Sequence, residues 1–392
     1  ASVNPTAQAK PAAKQAIDDA LKAKTDAIDA NNDLTAEEKA KAKEDAKAKA
    51  DAAKQAIDNA TTNDVVTQAK NDGAASIASV NPTAQAKPAA KQAIDDALKA
   101  KTDAIDANND LTAEEKAKAK EDAKAKADAA KQAIDNATTN DVVTQAKNDG
   151  AASVASVTPA AVVKTAAKQS IDEALKAKND EIDARTDLTD EEKAAAKSEA
   201  KAKADAVKAT IDNATTNAEV EQAKVTGTTE VTSVNPEALT KSAAKQSIDE
   251  ALKAKTDEID ARTDLTDEEK TAAKGDAKTK ADAAKTAIDN ATTNDAVTQV
   301  KNDGAASVAS VTPAAVAKTE AKQAIDEALK AKSAEIDART DLTDEEKTVA
   351  KLDAKAKADA AKATIDNAIT NAEVEQAKVT GITEVKAVDP QP

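Results

Sequence analysis

The side chains that could do chemistry here are almost all charged. Carboxylates come in adjacent pairs, such as Asp18-Asp19 and Glu37-Glu38, the residue types that general acid–base work draws on. Neighbours along a helix do not face each other, and no aromatic shell exists to shift their pKa; they read as a solvated face. Asp29-Ala-Asn31-Asn32-Asp33 follows the opening of a calcium loop. Leu34 then stands at the glycine position and Ala40 at that of the bidentate Glu, so it reads as a helix connection with no metal. Lysines alternate with alanine through Lys39, Lys41 and Lys43, but acids are interspersed among them. Intrahelical ion pairs explain that stripe better than polyanion binding. Asn59-Ala60-Thr61 has the N-glycosylation spacing; Asn59 reads instead as a helix end. Three arginines, Arg185, Arg262 and Arg339, are the only guanidinium groups and share one repeat position. They are the candidate weak ligand contacts.

Absences narrow the field further. The 392 residues contain no His, Cys, Met, Phe, Tyr or Trp. No Ser/His/Asp or Cys/His nucleophile, conventional zinc site or disulfide can be built, so we expect no catalytic, cofactor-binding or metal residues. No ring is available for base stacking. The balance of 56 basic against 72 acidic residues, a net charge of −16, repels nucleic acid and anionic membranes. No basic, apolar leader opens the sequence, and no apolar run approaches the ~20 residues that span a bilayer.

The elements that carry these residues repeat. Ala-Ser-Val-Asn-Pro at Ala1 returns at Ala78, with variants at Ala155, Thr232, Ala309 and Lys386, always 77 residues apart. The expected domains are therefore 1–77, 78–154, 155–231, 232–308 and 309–385, with 386–392 opening a sixth. We expect an internal slice of a longer repetitive protein.

Each repeat predicts three helices. Asn4-Pro5 and its later counterparts place a capping residue before proline, whose fixed φ suits a first helical position. A short turn there, then a helix from about Pro11 to Ala30, follows from the spacing of Ala13, Ile17, Leu21 and Ile28. Thr35 and Glu38 form a capping box for the second helix, repeated at Thr112/Glu115, Thr189/Glu192, Thr266/Glu269 and Thr343/Glu346. The third helix hides behind Asn71-Asp72-Gly73, which looks like a turn. Val66, Ala69, Gly73, Ile77 and Val80 nevertheless step by helical intervals. Gly73, Gly150, Gly227, Gly304 and Gly381 therefore read as close helix–helix contacts, against a helix C-cap. Almost no linker is expected before the next Asn-Pro.

The fold class expected is all-α: five tandem three-helix bundles stacked as an elongated rod, roughly 200 Å long at ~1.5 Å per helical residue. Large apolar residues are few, so alanines and neighbouring repeats must supply much of the stability.

In their order and spacing, Lys14-Gln-Ala-Ile17-Asp, Leu34-Thr-Ala-Glu-Glu38-Lys, Ile57-Asp-Asn-Ala-Thr-Thr-Asn63-Asp-Val-Val66 and Gly73 resemble a known repeat. It is the three-helix repeat, catalogued as a domain of unknown function, of Gram-positive cell-wall-anchored surface proteins. The resemblance covers nearly the whole chain. It implies an extracellular, wall-anchored protein in which the array serves as a stalk, and it leaves open which repeats bind anything.

Two functions are expected to compete. In the first, a monomeric array with no required partner holds a distal adhesive domain away from the wall. In the second, each repeat offers one weak surface to a host matrix or serum protein, with avidity from repetition. The lack of aromatic residues counts against the second, since interface hot spots favour Trp, Tyr and Arg.

Overall fold

The computed structural model describes residues 8–392. Pro5, with its proposed capping role, lies outside the described residues; its counterparts do not. The described residues form fifteen α-helices and no strand. In the first repeat these are α1 (Ala9–Asp29), α2 (Ala36–Asn59) and α3 (Asn63–Ala78). The same order recurs as α4 (Ala86–Asp106), α5 (Ala113–Asn136) and α6 (Asn140–Ala155), then α7 (Val162–Asp183), α8 (Asp190–Asn213) and α9 (Asn217–Thr232). The fourth repeat holds α10 (Leu239–Asp260), α11 (Asp267–Asn290) and α12 (Asn294–Ala309), and the fifth α13 (Val316–Asp337), α14 (Asp344–Asn367) and α15 (Asn371–Lys386). The protein is an array of five tandem three-helix repeats.

Local chemistry explains the helix limits. Thr35 is extended (φ −75°, ψ 166°) and its hydroxyl accepts from Glu38 N at 3.3 Å. Thr62 starts α3 in the same way, accepting from Val65 N at 3.2 Å. Each cap satisfies one of the four N–H groups that a helix start leaves free.

Ile17, Ile57 and Ile77 meet fully buried between the three helices of the first repeat. Ala50 and Ala53 fill the space between them, so the helices approach closely. A second cluster closes the far end: Ile28 and Leu34 pack with Ala42, Ala46 and Val80. Val80 lies beyond α3, so the physical unit includes the segment that leads into the next repeat.

Gly73, Gly150, Gly227, Gly304 and Gly381 sit inside α3, α6, α9, α12 and α15, and the sixth glycine, Gly275, inside α11. None among the described residues has a positive φ, which a glycine C-cap would require. A Cβ placed on Gly73 would overlap Ala53 Cβ and stand 2.9 Å from Ile17 Cδ1.

Two expectations fail at the start of the second to fifth repeats. The Asn-Pro or Thr-Pro dipeptides do not begin a helix. Pro82 precedes α4 by several non-helical residues, and Pro159, Pro236 and Pro313 likewise lie before α7, α10 and α13. Proline pushes the residue before it away from the helical region, and its own φ suits extended backbone equally well. The second failure follows from the first. Residues 79–85 separate α3 from α4, and comparable segments separate the later repeats, so the linkers are real. Pro88 falls in the first turn of α4, where its missing N–H costs no hydrogen bond.

Candidate functional site

Two surfaces recur along the chain. One is a groove between the second and third helices of a repeat. In the second repeat it holds about 750 Å³, with Ala129, Ala130, Ala133 and Gly150 in its lining and the half-exposed Val142 among them. Lys126, Asp141 and Asp149 also line it, and they bring no acid–base constellation together. Among the described residues no group of three or more His, Cys, Asp or Glu is placed to hold a metal ion.

The other surface is the junction between consecutive repeats, and it has far more built into it. Take the second repeat meeting the third. Glu115 stands in the first turn of α5. Its Oε1 accepts from Thr112 N at 3.0 Å, completing the capping box. Its Oε2 accepts from Val162 N at 3.0 Å and Val163 N at 3.4 Å, the first residues of α7. One carboxylate thus caps two helices in two repeats, at the positive ends of both dipoles. Burial pushes Glu115 upward, but these N–H donors outweigh it and hold the carboxyl below its ordinary range. Glu192 and Glu269 show the same balance.

Glu114, beside it, reaches the third helix of the next repeat and accepts from Asn217 N at 3.0 Å. Ala113 N donates to Thr215 O at 2.7 Å. The start of α5 is therefore set against the segment that leads into α9. Lys164 supplies the return contact. Its side chain is buried, and Nζ donates to Asn109 O at 2.8 Å and Asp212 O at 2.7 Å. The first carbonyl belongs to the preceding repeat, the second to the negative end of α8. Lys87, Lys241 and Lys318 make the corresponding pairs of bonds.

The candidates from sequence reasoning are distributed as follows. Thr35 caps α2, but the Glu38 carboxylate turns away from it and accepts from Ala86 N at 2.9 Å. The reciprocal box is complete at Thr112, Thr189, Thr266 and Thr343. The glycines lie within the bundles, away from the junction bonds. The arginines sit in the loops between first and second helices. Arg185 grips Asp187 with Nε at 2.8 Å and Nη2 at 2.7 Å, and its Nη1 donates to Pro236 O at 3.1 Å. Arg262 and Arg339 repeat this toward Pro313 and Pro390.

The junction lysine and Glu37 were missed as functional residues. A signal existed: both are the same residue in all five copies, while the position after the lysine runs through Pro11, Pro88, Thr165, Ser242 and Thr319.

Comparison with known proteins decides the family. The Domain of Unknown Function (DUF1542) matches five times in tandem, at residues 9–85, 86–162, 163–239, 240–316 and 317–392. The chain belongs to this family. The DUF1542 register starts at the first helix of each repeat and ends with the linker, which fits the burial of Val80 in the bundle before it. Similar curated proteins are staphylococcal. The extracellular matrix-binding protein EbhA of Staphylococcus aureus strain Mu3 is 32% identical over 344 residues, which is 87% of this chain and 5% of that protein. The extracellular matrix-binding protein ebh of strain MRSA252 is 32% identical over 391 residues, 98% of this chain and 4% of that protein. The DUF1542 array thus spans only a small part of the relatives' length. No solved structure matches it. No helix among the described residues is long and apolar enough to cross a membrane.

Proposed function

We propose that this DUF1542 array is a non-enzymatic spacer in a bacterial cell-surface adhesin, holding a distal adhesive domain out from the cell wall. The observation that supports it is the junction. The bonds from Glu114, Glu115, Ala113 and Lys164 are repeated at successive repeats, so each repeat is fixed to the next by the same contacts and needs no cofactor. Such a unit adds length by addition of copies. The test is a display series in which whole 77-residue units are deleted between an anchor and a binding domain. The reach of the binding domain is expected to fall by a constant step per unit, with its affinity unchanged at equal height. Loss of binding by an intact distal domain held at equal height overturns the reading.

The printed names of the relatives favour a second reading: the repeats themselves bind matrix or serum protein weakly and many times over. Arg185, Arg262 and Arg339 remain its candidate contacts, though much of each guanidinium is taken up by Asp187, Asp264 and Asp341. Binding of immobilised fibronectin, fibrinogen or albumin by residues 155–392 but not by 1–154 would carry it. Equal binding by both segments would discount the arginines, and binding by neither would dismiss the module.

A further inference from the structure

The junctions are not all alike. All four share the glutamate and lysine bonds. Where the third repeat meets the fourth, two more side-chain ties appear. Arg185 Nη1 reaches Pro236 O in the linker, and Thr189 Oγ1 donates to Asn294 Oδ1 at 2.6 Å. Where the fourth meets the fifth, Arg262 reaches Pro313 O at 3.2 Å and Thr266 reaches Asn371 Oδ1 at 2.6 Å. In the first two repeats asparagine occupies the arginine position. Asn31 and Asn108 each use their carboxamide oxygen within their own loop, accepting from Asp33 N and Asp110 N at 3.0 Å. Among the described residues neither makes a hydrogen bond to the linker beyond.

The chemistry of the difference is plain. An aspartate two residues on holds the guanidinium in a fork, so Arg185 and Arg262 are fixed before they reach the linker. The remaining nitrogen then pins the carbonyl of the linker proline itself. In the first two repeats Lys24 and Lys101 hold only the start of the linker, at Val80 O and Val157 O; an added hold at the proline carbonyl, nearer the next repeat, resists a hinge motion that the shared bonds and that earlier hold allow.

We propose that the arginines are positioning residues that make two classes of junction in one chain, compliant after the first and second repeats and clamped after the third and fourth. The proposal rests on the spacer reading for its use, but its test is separate. The intact chain holds no cysteine, so spin labels go only where cysteines are placed. One labelled pair is Asp45→Cys with Gln92→Cys across the first junction. Its equivalent is Asp276→Cys with Gln323→Cys across the fourth. Electron–electron dipolar spectroscopy should give a broader distance distribution for the first pair. Arg262→Gln should broaden the fourth junction to match, with helical circular dichroism unchanged. Asn31→Arg, which finds Asp33 already in place, should narrow the first.

Equal widths in the parent chain overturn the proposal. So does an unchanged width in Arg262→Gln, or in Asn31→Arg. The spacer reading fails on a different measurement, the reach and binding of the deletion series. Clamps can therefore fail while the spacer stands, and the reverse.

Discussion

Small side chains decide how near the helices come. At Gly150 an added Cβ would overlap Ala130 Cβ and lie 3.0 Å from Ile94 Cδ1, whereas at Gly275 it would meet nothing within 4 Å. Both glycines are helical, so each replacement by alanine gains ~1 kcal/mol of helix propensity. At Gly150 overpacking should cost about 1–3 kcal/mol, outweighing that gain. Gly150→Ala is therefore expected to lower the melting temperature and Gly275→Ala to raise it. The absence of aromatic residues makes circular dichroism at 222 nm the natural probe. Lys164 offers a second test at this scale. Lys164→Met leaves Asn109 O and Asp212 O without their shared donor, an expected loss of about 1–3 kcal/mol. If its melting curve overlays that of the parent chain, the buried ammonium is not holding the junction.

Helix ends matter more here than helix middles. Glu115, Glu192 and Glu269 are held below their ordinary range, against burial, by the helix starts of two repeats. A carboxyl lowered in the folded chain adds stability that is complete above its unfolded value. That stability fades as pH falls through the folded one. The junctions that Glu115, Glu192 and Glu269 cap are therefore expected to loosen below the normal glutamate range, near pH 4.5, and to be insensitive above it. Glu192→Gln should remove that pH dependence locally and shift the melting temperature down at pH 7. An unaltered acid profile in the variant would show that the capping carboxylate does not couple the repeats. The helices themselves were legible, because alanine and isoleucine keep helical spacing and Thr35 and Glu38 mark a start. The burial of glycine between helices was legible too, since Gly73 falls on the apolar stripe. The linker was not. The spacing of Ala13 and Ile17 put the long helix near Pro11, close to where α1 begins, but Asn-Pro has the chemistry of a helix start, and the non-helical segment before α4 shows only in the distant Glu38, which accepts from Ala86 N. The role of Lys87 showed only as a lysine kept in every copy, since its acceptors are backbone carbonyls at Asn32 and Asp135 and no partner side chain marks them.

At the scale of the whole molecule the first two repeats each keep a core of their own. Ile17, Ile57 and Ile77 form one core, and Ile94, Ile134 and Val154 form the next. Under tension they are expected to yield one at a time, giving a series of ruptures in single-molecule pulling; a single all-or-none event would contradict independent cores. The junction between the second and third repeats has a further consequence. These two copies differ in sequence, yet Ala113 N still meets Thr215 O and Glu114 still meets Asn217 N, as Ala36 N and Glu37 do between the near-identical first two. The same backbone and glutamate bonds form at every junction present, whichever copies meet there. Slippage between aligned copies in the gene, adding or removing whole units, would always join compatible faces. The length of such a protein is then open to change between generations of cells with no new surface to be invented.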